Sequence, residues 1–284
     1  MRRSVELEPL SPVHIGSQDR LSNMDYIVRG NRFYRLDIDK ILTLIVNDDV
    51  LLNKLRNGRI GEIVDRLGVD KVTLYTLSTY LDGYNKEVYP FIKYGSDVYL
   101  PGSSIKGAIR SAILYSRLKS DRRYLENHIK KLNIERSKLN RESKEREKIK
   151  RLKSLIKSAA RDLEDGIFRD NSKDMHRDML RFLNVGDMYP SSSEIGDVLE
   201  LSEIAILPTN LRLAMETLKV GARFSGYIDS DGGRGISIDE VKRCCRIFAN
   251  DIIEYELNNI EKYREYKCDI KDFYNELKDM NNKR

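Results

Sequence analysis

Cysteine and histidine are scarce in this chain, and that scarcity narrows its chemistry. Of 284 residues three are cysteines, Cys244, Cys245 and Cys268, and three are histidines, His14, His128 and His176. No Cys-x-x-Cys pair exists, so a structural zinc site and a redox dithiol both lack their ligand spacing, and the thiols read as reduced packing residues. The histidines are scattered, and neither a metal nor another cofactor is expected. Long apolar runs are missing too. No stretch of 18 apolar residues and no leader with an apolar core occurs, so neither a membrane span nor secretion is indicated and the reading is a cytoplasmic protein.

What is present is charge. Lys and Arg number 51 against 45 Asp and Glu, giving +6 with 40% hydrophobic residues, enough apolar material for a packed core. The segment from Lys119 to Asp165 holds 16 Lys and Arg against 9 Asp and Glu, a net +7, so the remainder is close to neutral. A basic excess gathered in one place points to a polyanion or an acidic protein surface. The same segment contains no Pro or Gly and spaces Leu125, Ile129 and Leu132 at helical intervals, which predicts a helical hairpin or insertion.

The most informative stretch is Val98 to Leu114. Pro101 and Gly102 break an apolar run, Ser103 suits a helix N-cap, and Ile105, Ile109, Ile113 and Leu114 recur at helical spacing. Lys106 and Arg110, four residues apart, share the other face near a helix start, where free N–H groups and the dipole favour an anion. Ser103-x-x-Lys106 also matches the Ser-Lys pair of penicillin-binding acyl enzymes, but the Lys-Thr-Gly and Ser-Asp-Asn companions are missing.

Elsewhere, residues 3–10 alternate like a strand, and Asp25 to Leu36 reads as a hairpin about Arg29-Gly30-Asn31. Asp37 or Asp39 caps a helix through about Arg56, and a second helix is expected from Ile60 to Leu81. Strand character returns at Phe182–Asp187, Val198–Leu207 and Ala222–Asp229, followed by an Asp231 to Gly235 turn. Asp229-x-Asp231-Gly232 fails as a calcium loop, because its register puts Tyr227 first and Ile238 twelfth. Asp239 opens a long helix to about Lys262, and the tail is helical.

Six elements together carry a family resemblance: Leu10 to Ser17, Asp25 to Val28, Phe33 to Leu42, Leu100 to Arg110, Arg181 to Asp187 and Leu213 to Gly226. In this order they resemble the RAMP superfamily of CRISPR proteins, most closely the Csm subunit five branch of type III-A effector complexes. The resemblance implies an α+β fold with a ferredoxin-like, RRM-related core, helical insertions and a helical C-terminal segment. Residues 1–118 are then the first part of the core, with a helical insertion at about 37–82. Residues 119–181 are a basic helical insertion, 182–250 the second part of the core, and 251–284 the C-terminal segment. The Gly-rich loop and final strand that end such proteins are not found after Gly235, so that segment is expected to be truncated, split or divergent.

The implied role is non-catalytic: binding CRISPR guide RNA toward its 3′ end and capping the filament of backbone subunits, with backbone and small Csm subunits and guide-trimming nucleases as partners. Candidate RNA contacts are Ser103, Ser104, Lys106, Gly107 and Arg110, with loop contacts from His14, Gly16, Ser17, Gly221 and Arg223. Two rivals stay open. A guide-processing endoribonuclease would use His14 and Asp25, and a protein-contacting scaffold would use the basic insertion.

Overall fold

The N-terminal alternation is strand β1 (Arg2–Leu7), along which exposed and half-buried residues take turns. The computed structural model describes residues 2–84, 86–139, 145–170, 174–206, 211–231, 233, 235–260 and 267–283. The chain divides into two units, one of Met1–Ser4, Gly102–Gly186 and Tyr227–Arg284, the other of Val5–Pro101 and Asp187–Gly226.

In the second of these units the expected hairpin is β2 (Tyr26–Arg29) and β3 (Arg32–Leu36), turned at Gly30 with φ +55°. Tyr26 and Phe33, both buried, lie with ring centroids 5.1 Å apart. The helix expected from Asp37 to Arg56 is two helices, because Asp48 supplies a second cap. Asp37 accepts from Lys40 N at 3.0 Å to start α1 (Ile38–Ile45), and Asp48 accepts from Leu51 N at 3.0 Å to start α2 (Asp49–Arg56). The helix expected through Leu81 is also corrected. Helix α3 (Ile60–Leu67) stops at Gly68, whose φ of +90° suits glycine, and a 3-10 turn at Val69–Lys71 leads into strand β4 (Thr73–Thr79). Threonine and tyrosine in that segment favour the pleated surface, and Gly68 uncouples it from the helical period. The lobe closes on Leu36, Ile41, Ile45, Leu51, Ile60, Ile63, Val64 and Val72, all buried. Each fully buried aliphatic side chain there contributes roughly 1.5–3 kcal/mol.

Short strands β5 (Val88–Tyr89), β6 (Lys93–Tyr94) and β7 (Asp97–Val98) follow. Later in the chain come β8 (Leu183–Val185), β9 (Tyr189–Pro190), β10 (Leu199–Ile206), β11 (Leu211–Leu218) and β12 (Phe224–Ser230). Six strands form a mixed sheet in the order β2-β3-β4-β10-β11-β5. Strand β10 runs antiparallel to β11 with Leu199 opposite Leu218, and parallel to β4 with Glu200 opposite Ser78. Strand β11 was reached by family resemblance and not by the residue pattern alone. Val198, expected to open a strand, ends the short helix α7 (Ile195–Val198), while Leu207, Gly232 and Arg234 lie outside the described residues.

The other unit is largely helical: α4 (Gly102–Ser120), α5 (Arg122–Leu139), α6 (Glu145–Phe168), α8 (Ile238–Asn259) and α9 (Lys267–Lys283). Helix α4 buries Ile109, Ala112, Ile113 and Ser116 and packs on α8, which packs on α9. Helices α5 and α6 pack on each other as the expected hairpin. The C-terminal half of β12 pairs with β8, Ile228 opposite Val185. Helix α8 is capped by Ser237, which accepts from Glu240 N at 3.1 Å, and not by Asp239; that residue pairs with Arg3 at 2.9 Å.

Candidate nucleic-acid interface

The start of α4 differs from its expected form in one respect: the helix already includes Gly102, so Ser103 lies in its first turn and does not cap it. Gly102 is there for contact. A Cβ on it would stand 2.2 Å from the Val185 carbonyl oxygen and 2.8 Å from the Gly186 carbonyl carbon. Only glycine lets the helix start press on the end of β8. Seating that end fixes which side of α4 stays open: Ser103, Ser104, Gly107, Ala108 and Ser111 are exposed, while Ile109, Ala112 and Ile113 face inward. First-turn N–H groups of a helix have no intrahelical acceptor, so an anion laid on this face meets donors and the positive end of the dipole.

Gly107 has a different environment from Gly102. A Cβ there would meet nothing within 4 Å, so no contact among the described residues calls for glycine. In a helix interior glycine costs about 1 kcal/mol relative to alanine. Beside it Lys106 is half-buried and has no ion-pair partner among the described residues. Partial burial holds its ammonium below the ordinary lysine value, with the nearby Arg110 charge acting the same way and Asp178 opposing them.

Arg110, expected to contact phosphate beside Lys106, is engaged within the chain. Its guanidinium donates to Glu164 at 3.1 and 3.2 Å and to Asp178 at 3.0 Å, and it lies 4.0 Å from the centroid of the Phe168 ring. Asp178 in turn caps the turn of Met179–Phe182 by accepting from Leu180 N at 2.9 Å. Arg110 thus ties α4 to α6 and to the segment entering β8. The periodicity put Arg110 on the correct face but could not show the carboxylates that fold against it.

The loop candidates gather along one segment of the other unit. The Gly221 N–H donates to the Pro9 carbonyl at 3.1 Å, Val13 bridges Leu218, Gly16 bridges Phe91, and Leu21 bridges Val88. His14 Nδ1 lies 2.8 Å from the Glu216 carbonyl oxygen, and a Cβ on Gly16 would stand 3.1 Å from His14 Nε2. Ser17 Oγ donates to Asp19 at 3.1 Å, Gly221 adopts φ +84°, and Arg223, largely exposed, lies 3.6 Å from Glu6. Asp25 has a local role: it accepts from Ser22 N and Oγ, both at 2.8 Å, and lies 3.4 Å from Arg35.

Sequence reasoning missed Glu216. Its buried carboxylate accepts from Phe91 N at 2.8 Å, from Tyr75 Oη at 2.5 Å and from Lys93 Nζ. Burial, then the Glu216 charge, push the Tyr75 phenol well above its ordinary value. The signal was available: Glu216 shares the inward phase of β11 with Ala214 and Leu218, all buried.

Among the described residues no group of three or more His, Cys, Asp or Glu can hold a metal ion, and no helix is long and apolar enough to cross a membrane. The helical unit with its exposed α4 face and the mixed sheet with its loop segment define a class. The RAMP superfamily pattern matches residues 6–280, and the chain belongs to that superfamily. Its α+β architecture is the RAMP fold. A relative described as CRISPR system Cms protein Csm5, from Methanocaldococcus jannaschii, is 24% identical over 307 aligned positions, covering 94% of this chain and 67% of that protein. The crystal structure of T. onnurineus Csm5 matches with a TM-score of 0.71 and 24% identity, over 96% of this chain and 87% of that one. A chain in the cryo-EM structure of a Csm-crRNA-target RNA ternary complex of a type III-A CRISPR-Cas system matches with a TM-score of 0.68 and 22% identity, over 96% and 81%.

Proposed function

We infer that this chain is a cytoplasmic, non-catalytic, RNA-binding subunit of a type III-A Csm effector complex, in the position Csm5 occupies. It binds the guide RNA toward its 3′ end, closes the filament of backbone subunits, and meets the small subunits and the nucleases that trim the guide. One observation carries the reading: α4 keeps a helix-interior glycine, Gly107, where a Cβ would meet nothing within 4 Å among the described residues, beside Lys106, which has no ion-pair partner among them, and the exposed Ser103 and Ser104. A glycine that costs helix stability without an internal reason leaves room for an external backbone. Ser103 and Ser104 donate to phosphate, Lys106 neutralises it, and Arg110 fixes the turn through Glu164 and Asp178. His14, Gly16, Ser17, Gly221 and Arg223 supply loop contacts in the other unit.

Such contacts position RNA without reading its bases, so affinity depends on salt more than on sequence. Fluorescence anisotropy with a single-stranded oligoribonucleotide across a salt series tests this. Lys106→Gln is expected to weaken binding to all sequences alike and to lower the log K against log salt slope by about 0.7. A single-turnover assay should recover the RNA at full length with wild type and with His14→Ala. A wild-type protein that ignores RNA in dilute buffer would overturn the reading, as would cleavage abolished by His14→Ala.

A further inference from the structure

Helix α6 carries seven cations, of which five, Arg146, Lys150, Lys153, Lys157 and Arg161, form a single row and are all exposed. Their spacing of four, three, four and four residues keeps them on one side of a 3.6-residue helix, one per turn, over about 22 Å. None of the five has an ion-pair partner among the described residues. This is unlike an ordinary solvated helix, where both signs alternate and pair at i,i+4; here each neighbour along the row repels the next. Leu152, Leu155, Ala159 and Leu163 are half-buried, as expected where α6 packs on α5. The cationic row therefore contributes nothing to the hairpin's own packing. Along its flank Ile149 and Ile156, seven residues apart, are 49% and 51% exposed.

We propose that this row is a second RNA-binding surface, which tracks the sugar-phosphate backbone of single-stranded RNA while Ile149 and Ile156 lie against the sugars and bases. It rests on the RNA-binding reading above and extends it to a helix outside the α4 site. A regular one-per-turn row of like charge fits a regular polyanion, every phosphate of which can meet a cation and release a counterion. A protein partner is the poorer match, because lysine is depleted in protein interfaces.

The test uses the full chain and a labelled single-stranded oligouridylate long enough to span the row. In R146Q/K150Q/K153Q/K157Q, glutamine keeps helix propensity while removing charge. That variant is expected to lower the salt slope by about 2.8, and K150Q/K157Q by about 1.4. A charge-matched control, R32Q/K40Q/K71Q/K86Q, removes exposed cations of the other unit and should leave the slope at the wild-type value. An unchanged slope in the α6 variants overturns the proposal. So does an equal fall in the control, which would make the effect one of net charge. If the α6 variants bind RNA as wild type does but no longer co-purify with acidic protein partners, the row is a protein surface and the proposal falls. Loss of slope in Lys106→Gln alone would sink the α6 assignment and leave RNA binding by α4 intact; a wild type that binds no RNA would sink both.

Discussion

At the scale of single residues, Glu216 shows how a charge survives in the core. Its carboxylate is 0% exposed and depends on three donors, the Phe91 N–H, the Tyr75 hydroxyl and the Lys93 ammonium, of which only the last brings positive charge. Removing one partner of a buried pair leaves a charge in low dielectric, which costs about 3–5 kcal/mol. Lys93→Met is therefore expected to destabilise the protein by about 3 kcal/mol, the lower end, because two neutral donors remain. A shift of the urea midpoint at constant m-value checks this, and a cost under about 1 kcal/mol would show that Lys93 is not the compensating charge. Glu216 was legible as an anomaly, a carboxylate in the inward phase of an apolar strand. Its partners were not, since Tyr75 and Lys93 lie 141 and 123 residues away and only the sheet order brings them near. Arg110 repeats the lesson: its face followed from helical spacing, but Glu164 and Asp178 are supplied by chain 54 and 68 residues distant.

At the scale of elements, helix α4 is seated at both ends by different means. Its start fits because Gly102 has no Cβ, and Gly102→Ala would place a Cβ 2.2 Å from the Val185 backbone oxygen. Overpacking of that kind costs about 1–3 kcal/mol, and the thermal midpoint should fall accordingly. Nearer its other end, Asp251 of α8 accepts from Lys119 at 2.6 Å and from Tyr115 at 2.7 Å. The hydrogen bond from Lys119, then that from Tyr115, holds the Asp251 carboxyl below its ordinary value of 3.8. A carboxyl depressed in the folded state contributes stability above its unfolded value, and that contribution is lost as pH falls through the folded one. Between about pH 4 and lower values, Asp251→Asn should lose stability less steeply than wild type, as read by urea midpoints across the acid range. Equal slopes would show that the clip between α4 and α8 does not form. The starts of α1, α4 and α8 were legible in sequence to within a residue or two, but the break that Asp48 makes after α1 was not, and neither Ser103 nor Asp239 turned out to be a cap. The residues following Leu67 were not legible either, because apolar spacing alone cannot distinguish a continuing helix from a turn and a strand such as β4.

At the scale of the whole molecule, binding and stability can be set against each other through Gly107. Alanine fits there without contact, so Gly107→Ala should stabilise the free protein by about 1 kcal/mol through helix propensity. With an unfolding entropy of roughly 2.1 cal/mol/K per residue, a chain of 284 residues gains about 2 °C in Tm per kcal/mol. The same methyl group stands where the RNA backbone would approach, and a tenfold loss of affinity corresponds to about 1.4 kcal/mol. Single-stranded RNA at a hundredfold excess over the wild-type Kd stabilises wild type by about 2.7 kcal/mol, roughly 5 °C, and would stabilise such a variant by about half as much. Differential scanning fluorimetry with and without RNA should thus show the variant melting higher when free and gaining less when RNA is added. A purely structural role for Gly107 predicts a different result, with both curves displaced by the same amount and the RNA-induced shift unchanged. If the shift is preserved, the open side of α4 is not where RNA lies.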